Sequence, residues 1–398
     1  MSELYQLPNG WEWKKLGDIS ILIGGGTPKR NIDEYWINGD IIWLSPTDLG
    51  KIGDVNEISN SKDKINQLGL DKSSAKLLPI GTVLYSSRAT IGKIAINTIE
   101  VSTNQGFTNF VCNDDLNNRY LAFCLSRFTE DITSLSNSTT FKEVSKTSLK
   151  EFKIPLPPLS EQQRIVSKLD LLFEKIDKSI ALHQKNMDEA DVFMGSVLND
   201  VFGELEENNN PMLRFDTYTK LSRGHNPPKK DFIYEEKEGY LRFIQIRDGS
   251  SDKNAVYVPI TKKLHLVTKE DLLLVAYRQV GKVFREMEGA FNVALCKIEN
   301  KDYNKLDTNY LYYIIQSKYV KDELLSRSER ALIPSMSVDH LKSIKIPTPQ
   351  LQIQQKVVKY LDEISQKIEK IKQAQKAKMN SLKALKASIL DQAFKGEL

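Results

Sequence analysis

Two long stretches of the chain carry apolar residues at alternating steps of three and four. The positions of the first stretch, with one histidine among them, are Leu169, Phe173, Ile176, Ile180, His183, Met187, Ala190, Met194, Val197 and Val201. Those of the second are Leu361, Ile364, Ile368, Ile371, Met379, Leu382, Leu385 and Ile389, and Gln375 interrupts the run. This spacing is typical of helices packed along each other in a coiled coil. A polar residue at such a position, here His183, more often sets the register of the helices or packs in the seam than binds a metal.

Both predicted helices follow a proline boundary. Proline ends the preceding segment because its ring removes an N–H donor and clashes inside a helix. Ser160-Glu-Gln-Gln163 has the spacing of a capping box, in which the serine accepts from the backbone and the glutamine reaches back to it. We therefore predict Ser160 as the N-cap of the first helix.

An internal repeat organises the chain. The segment Ile154–Asp170 returns as Ile346–Asp362 at an offset of 192 residues, and the same offset aligns Phe202 with Phe394. A constant offset without insertion indicates two helices of equal length. The repeat predicts the following parts: a globular domain at 1–158, a helix at 159–207, a second globular domain at 208–348 and a second helix at 349–398.

The repeat is weaker within the globular domains, where Arg88 is paired with Arg278 by the neighbouring Gly-Lys steps, Gly92-Lys93 and Gly281-Lys282. These domains have a mixed α/β (α+β) pattern. Strands are predicted, from β-branched and aromatic runs, at Ile41–Leu44, Thr82–Tyr85, Lys93–Ile96 and Phe107–Val111. Helices are predicted at Tyr120–Leu125 and Tyr310–Ile315.

Charge differs between the two helical segments. Residues 160–207 carry five Lys/Arg and eleven Asp/Glu, a net charge of −6, whereas residues 350–398 carry ten Lys and five Asp/Glu, a net charge of +5. Opposite charge favours pairing of the helices with each other over pairing of either with its own copy. Two separately solvated faces remain the alternative, because single surface ion pairs contribute little.

There is little support in the sequence for catalysis, metal binding or membrane insertion. No segment approaches the roughly 18 apolar residues of a membrane span, and the start lacks a basic region followed by an apolar one, so we expect a cytoplasmic protein. Cys112, Cys124 and Cys296 form no CxxC pair and are expected to be reduced, buried thiols. We predict no catalytic residue, no metal site and no cofactor.

Two motifs match known sites only in part. The glycines of Gly24-Gly-Gly26-Thr-Pro-Lys29 lack the spacing of a phosphate-binding loop, and a chain reversal explains them better. Asn226-Pro-Pro-Lys229 begins like the Asn-Pro-Pro-aromatic motif of amino-methyltransferases, but a lysine stands where the base-stacking aromatic would be.

The opening Leu7-Pro-Asn-Gly-Trp11, the two Ile-Pro-x-Pro boundaries, the Gln-Gln pairs and the tail Phe394-Lys-Gly-Glu-Leu398 together resemble the specificity subunits of type I restriction-modification enzymes. The resemblance covers essentially the whole chain. It implies two target-recognition domains in a pseudo-two-fold repeat, separated by an antiparallel coiled coil of the two long helices.

The resemblance also implies a function. The chain would be a non-catalytic subunit that binds double-stranded DNA and recognises a bipartite, asymmetric site. Its partners would be two methyltransferase subunits and, optionally, two restriction (motor-nuclease) subunits. S-adenosylmethionine, ATP and Mg²⁺ are then expected only in those partners.

Candidate DNA contacts fall into two groups. Cations common to both halves are expected to contact phosphates, because two domains that recognise different sequences should not share their base contacts; these are Arg88, Lys93, Arg278 and Lys282. Base contacts are expected where the halves differ, from side chains able to make bidentate contacts to purines; these are Lys29, Arg30, Asn104, Gln105 and Lys142, then Arg223, Lys229, Lys230, Arg327 and Arg330. A plain solvated position remains the alternative for each.

Three other functions stay open. A coiled-coil scaffold without nucleic acid would explain the helices but not the repeated domains. A self-contained methyltransferase or nuclease would need a cofactor loop or a carboxylate cluster, and an RNA-binding protein would be expected to show exposed aromatic platforms.

Helix length predicts the spacing of the recognised DNA site. About 45 helical residues at 1.5 Å each span roughly 65 Å. Deleting about one heptad from both helices is expected to shorten the unspecified spacer or to abolish binding, because the seam stays in register while the helices shorten. Sequencing of methylated sites in a host that co-expresses the methyltransferase subunit measures the spacer. An unchanged spacer would contradict this role of the helices.

Overall fold

The computed structural model describes residues 5–136, 142–249, 251–326 and 335–398. The chain forms two compact units: unit 1 comprises Met1–Leu182 and Lys378–Leu398, and unit 2 comprises His183–Ala377. Each unit is mixed α/β and contains residues of both long helices.

Unit 1 is built on two sheets and a separate strand pair. Its strands are β1 Glu12–Lys15, β2 Ser20–Gly24, β3 Ile41–Leu44, β4 Val55–Ile58, β5 Asp63–Ile65, β6 Val83–Ser86, β7 Ile94–Asn97, β8 Val101–Thr103, β9 Phe107–Cys112 and β10 Lys153–Leu156. Its short helices are α1 Leu16–Ile19, α2 Gln67–Asp71, α3 Asn118–Arg127, α4 Thr129–Ser134 and α5 Lys146–Glu151. The sheet orders are β2-β9-β6-β7-β4 and β5-β3-β8, and β1 pairs antiparallel with β10. The first long helix, α6 Leu159–Glu207, follows β10.

Unit 2 also has two sheets and a separate strand pair, but each of its sheets has four strands, whereas those of unit 1 have five and three. Its strands are β11 Met212–Arg214, β12 Thr219–Arg223, β13 Tyr240–Ile244, β14 Tyr257–Pro259, β15 Leu266–Val267, β16 Leu272–Val275, β17 Val283–Phe284, β18 Gly289–Phe291, β19 Leu295–Asn300 and β20 Lys345–Pro347. Its helices are α7 Thr308–Ile314, α8 Lys318–Ser326, α9 Val338–Ser343 and the second long helix, α10 Leu351–Lys395. The sheet orders are β12-β19-β16-β17 and β14-β13-β18-β15, and β11 pairs with β20.

The predicted elements are present. The strand predicted at Ile41–Leu44 has those bounds. Two of the others lie one residue further along the chain, and the fourth begins as predicted at Phe107 and ends one residue later. The two predicted short helices overlap α3 and α7. Both long helices occupy the predicted stretches, and α10 begins two residues later than predicted.

Each unit closes its core with side chains from both long helices. In unit 1, Phe123 of α3 packs edge-on against Phe173 of α6 at 5.6 Å between ring centroids, and Tyr120 packs against Phe394 of α10 at 5.2 Å. In unit 2, Tyr310 of α7 packs against Phe202 of α6 at 5.5 Å. Phe202 and Phe394 are aligned by the repeat, and each packs against the equivalent tyrosine of its unit.

The start of each long helix is held by a buried glutamine rather than by a serine cap. The helix α6 already begins at Leu159, so Ser160 lies inside its first turn and the predicted capping box is wrong. The fully buried Gln162 donates to the carbonyls of Asp115 and Pro157 at 2.9 Å each, and accepts from the N–H of Asn117 at 2.9 Å.

Gln354 does the same in unit 2. Its amide donates to the carbonyls of Lys305 and Pro349, and its oxygen accepts from the N–H of Asp307. The signal in the sequence was the repeated Gln-Gln pair itself, of which only the first glutamine is buried.

The seam of α10 differs from the predicted one. Ile371 and Leu385 are about half exposed, at 49% and 48%, so they are not seam residues. Lys372 and Lys386 are more buried, and their ammonium groups reach Asp191 and Asp177 of α6 at 2.7 and 2.8 Å.

A lysine can occupy a seam position because its aliphatic stem packs while its charged end reaches solvent. Gln375 therefore belongs to the seam instead of interrupting it. Its side-chain oxygen meets Nδ1 of His183 within unit 2, and the two residues are themselves related by the repeat offset of 192. The ion pair in each unit joins an aspartate of α6 to a lysine of α10. This agrees with the negative net charge of the first helix and the positive net charge of the second.

The buried glutamines predict a matched pair of stability effects. Gln162→Ala is expected to lower the free energy of unfolding of unit 1 by about 2–4 kcal/mol, because two carbonyls and one N–H lose their partner inside the protein. Gln163→Ala, on the exposed side of the same turn, is the control and should change stability little. Chemical denaturation followed by circular dichroism measures both. Equal effects of the two substitutions would contradict the anchoring role of Gln162.

Candidate nucleic-acid interface

Four segments of unit 1 are joined by three backbone hydrogen bonds. Gly26 N–H donates to Thr103 O at 2.8 Å, and Ser87 N–H donates to Gly106 O at 2.9 Å. Val144 N–H in turn donates to Ser87 O at 2.9 Å. These bonds bring together residues 25–30, 88–90, 104–106 and 142–144, which we call the unit 1 surface.

Unit 2 contains the same three bonds at equivalent positions. His225 N–H donates to Phe291 O, Ala276 N–H to Ala294 O, and Met336 N–H to Ala276 O, at 2.8 to 3.0 Å. The corresponding segments are 224–230, 277–279, 292–294 and 335–336, the unit 2 surface. The two surfaces thus share a backbone frame, although their side chains differ.

Glycine is required at an equivalent position in the two frames. A Cβ on Gly25 would lie 2.0 Å from the carbonyl oxygen of Asn104, and one on Gly224 would lie 2.2 Å from that of Asn292. The close approach of two backbone segments, rather than the predicted chain reversal, explains the glycine at position 25.

The frame corrects the alignment of the repeat around Arg88. Ala89 and Arg278 share a positive φ, at 61° and 65°, and Gly92 and Gly281 share another, at 96° and 93°. At this constant offset of 189 residues, Arg88 is equivalent to Tyr277. The expected pairing of Arg88 with Arg278 was wrong by one residue, because sequence similarity alone did not fix the register across a turn.

Some candidate side chains already have partners within the fold. Lys93 donates from Nζ to the carbonyls of Pro46 and Leu49, at 2.8 and 3.3 Å. Arg223 donates to the carbonyl oxygens of Val293 and Met336 and so fastens two segments of its surface.

Asn104 also serves the frame. Its side-chain oxygen accepts from Gly106 N–H at 2.8 Å, as that of Asn292 accepts from Ala294 N–H at 3.2 Å. Because both units use the same asparagine in the same way, Asn104 groups with the shared structural residues and not with the positions at which the halves differ.

Arg30 is held by an ion pair and two aromatic rings. Its guanidinium lies 2.6 Å from the carboxylate of Asp63 and 4.0 and 4.7 Å from the ring centroids of Trp36 and Trp43. A contact from Arg30 to a base or phosphate would therefore compete with Asp63.

The remaining candidates are mostly exposed. Arg88 lies 3.4 Å from the carboxylate of Glu143, and Gln105 accepts from the hydroxyl of Thr27. The exposed cations are Lys29, Lys142, Lys229, Lys230, Arg278 and Lys282. Arg327 and Arg330 lie outside the described residues. Tyr277 and Gln279, which flank Arg278 on the unit 2 surface, were not among the candidates, although Tyr277 stood inside the aligned motif.

The described residues also bear on metal binding and on the state of the cysteine thiols. They contain no group of three or more His, Cys, Asp or Glu side chains that could hold a metal ion. Burial raises the pKa of the Cys112 thiol to about 12 and that of Cys296 to about 11, and it raises the pKa of Cys124 as well. In the ranges described, no helix is long and apolar enough to cross a bilayer.

Asn226, in the proline motif, has a structural contact. Its side-chain oxygen accepts from Val293 N–H at 3.1 Å, which ties the loop after β12 to the turn after β18.

The family model described as the type I restriction modification DNA specificity domain matches residues 8–189 and 219–380. The two matches follow the internal repeat and together cover most of the chain. The chain belongs to this family of type I restriction-modification DNA specificity subunits.

Curated relatives carry the same description. The type I restriction enzyme MjaIX specificity subunit of Methanocaldococcus jannaschii is 25% identical over 423 aligned residues, which span 100% of this chain and 95% of the relative. The EcoR124I/EcoR124II specificity subunit of Escherichia coli is 32% identical over 187 residues, 44% of this chain and 45% of the relative. The chain is thus a sequence-specificity subunit, and the scaffold alternative loses its support.

A solved structure from work on complex assembly and conformational transition of the type I R-M system has the same fold. It matches with a TM-score of 0.73 at 22% identity and covers 99% of this chain and 100% of its own. At this identity the match supports the two-domain, two-helix architecture and not individual contacts.

Proposed function

We propose that the unit 1 and unit 2 surfaces each bind one half of a bipartite, asymmetric site in double-stranded DNA. The observation that carries this proposal is the repeated frame: three equivalent backbone hydrogen bonds hold four segments in both units, while the side chains on those segments differ. A shared frame suits a shared duplex backbone, and different side chains suit different bases.

The chemistry belongs to partner subunits in this proposal. The chain acts without catalytic residues of its own and without a bound cofactor, and it directs two methyltransferase subunits to the site. Where a restriction system is complete, two restriction subunits join them and supply the ATP-dependent step. We place this activity in the cytoplasm, together with the host DNA.

Co-expression tests the proposal as a whole. The full-length chain and its cognate methyltransferase subunit are produced in a host without other methylation, and methylated sites are detected by single-molecule sequencing. We expect one bipartite motif with an unspecified spacer and two unequal half-sites. Methylation without sequence preference, or failure of the two proteins to co-purify, would contradict the proposed function.

Lys282 and Lys93 remain equivalent after the alignment is corrected, but only the side chain of Lys282 is exposed. We therefore expect Lys282→Ala to weaken binding of the methyltransferase complex to all duplex sequences alike. A lost phosphate contact also reduces the slope of log Kd against log salt by about 1.

Lys269→Ala is the matched control, because Lys269 is also exposed but precedes the strand β16, whereas Lys282 follows it. Fluorescence anisotropy with labelled duplexes at several salt concentrations measures both variants. A change at one base position only, with the salt slope unaltered, would assign Lys282 to base recognition instead.

A further inference from the structure

In each unit, three exposed residues follow a fully buried strand. Residues 82–87 and 271–276 are buried throughout, whereas 88–90 and 277–279 are exposed. Both exposed tripeptides form the same tight turn. Thr90 N–H donates to Arg88 O at 2.8 Å, and Gln279 N–H donates to Tyr277 O at 2.8 Å. A hydrogen bond between residues two apart closes a γ-turn.

The central residue of each turn has a costly backbone conformation. Ala89 has φ 61° and Arg278 has φ 65°, and a γ-turn with positive φ is rare and strained for residues other than glycine. Glycine would adopt it at lower cost. Arg278 thus places a long cationic side chain where the backbone alone would favour glycine, and strain of this kind clusters at ligand-binding sites.

Backbone hydrogen bonds hold the residues on both sides of each turn. In unit 2, Ala276 exchanges hydrogen bonds with two of the neighbouring segments, and Gly281 N–H donates to Val275 O at 3.2 Å. In unit 1, Ser87 makes the equivalent two bonds, and Gly92 N–H donates to Ser86 O at 3.0 Å. Recognition of a base edge requires that the backbone of the recognising residue is held in place, because bidentate hydrogen bonds tolerate little displacement.

The two turns share their backbone geometry, but they have different side chains. Unit 1 presents Arg88-Ala-Thr90, and unit 2 presents Tyr277-Arg-Gln279. Arg88 lies near the carboxylate of Glu143. No carboxylate of the described residues lies within ion-pair distance of Arg278, whose guanidinium is 5.8 Å from the ring centroid of Tyr277. A guanidinium can contact O6 and N7 of guanine together.

We propose that the two γ-turns are base-recognition elements of equivalent geometry, and that Arg278 contacts a guanine in the half-site bound by unit 2. This inference rests on the proposed function, since it needs the chain to bind DNA sequence-specifically. It also changes the role expected for Arg278, because the corrected alignment removes the argument that this cation is common to both halves.

The test uses the full-length chain in complex with its methyltransferase subunit. Its probes are duplexes with the wild-type methylation motif and with single-base changes at each specified position. Arg278→Gly removes the guanidinium and leaves a residue that favours the same φ. We expect it to lose roughly 5- to 150-fold of the discrimination for guanine at one position of one half-site. The other half-site should be recognised as before, and the melting temperature should be unchanged or higher.

Two variants of the equivalent turn complete the experiment. Ala89→Gly has the same backbone effect without removing a polar group, and it should leave both half-sites unchanged. Ala89→Arg adds a guanidinium at the matching position and should alter the preference in the half-site that Arg278→Gly does not affect.

The outcomes separate the inference from the function on which it rests. An unchanged preference in Arg278→Gly, or an equal loss of affinity for every duplex, would overturn the assignment of Arg278 to a base contact. A wild-type complex that binds all duplexes equally would overturn the proposed function itself.

Discussion

Neither unit completes its hydrophobic core without both long helices. Unit 1 buries Leu169 and Phe173 from α6 together with Phe394 from α10, and unit 2 buries Phe202 from α6 together with Leu361 from α10. Full burial of one such side chain contributes about 1.5–3 kcal/mol. Because each helix gives side chains to two cores, helix pairing and domain folding are one requirement. The buried glutamines, Gln162 and Gln354, add directional hydrogen bonds to this packing at the start of each helix.

The unit 1 and unit 2 surfaces can vary in their side chains because backbone groups hold them together. The frame of each surface is made by backbone N–H and C=O groups, which every residue except proline can supply. Positions such as Gly25 and Gly224 are fixed by geometry, because a Cβ there would collide with a carbonyl oxygen. Side chains at the exposed turns can therefore change without altering the frame, which is a suitable basis for two units that recognise different sequences.

Charge on the long helices works through specific pairs. The net charges of −6 and +5 indicated that the helices prefer each other, but exposed ion pairs contribute only about 0–1 kcal/mol each. In the structure, Lys372 and Lys386 combine a packed stem with a bridge to an aspartate of α6. Pairing of the helices is thus supported at seam positions whose side chains have both a packed apolar stem and a charged end, and a count of surface charges does not identify these positions.

Periodicity and repetition alone determined the two long helices, their bounds within two residues at their starts, and the duplicated domains. These features depend on local spacing, which is written directly in the sequence. The N-cap of α6 was assigned to Ser160 because a capping box is also a local pattern. In the structure, the start of α6 is instead held by the tertiary hydrogen bonds of Gln162. The seam of α10 was misassigned at Ile371 and Leu385, since a lysine stem counts as polar in a pattern and as apolar in a packed interface.

The candidate surfaces depended still more on tertiary structure. The sequence indicated basic and amide side chains in loops, but Lys93 and Arg223 are held by contacts with residues far along the chain. The side chain of Asn104 is held by the N–H of Gly106, within its own loop. The equivalence of Arg278 with Ala89, rather than with Arg88, follows from φ angles and from hydrogen bonds between segments. A one-residue shift across a turn leaves composition and spacing almost unchanged, so only the folded backbone could decide it.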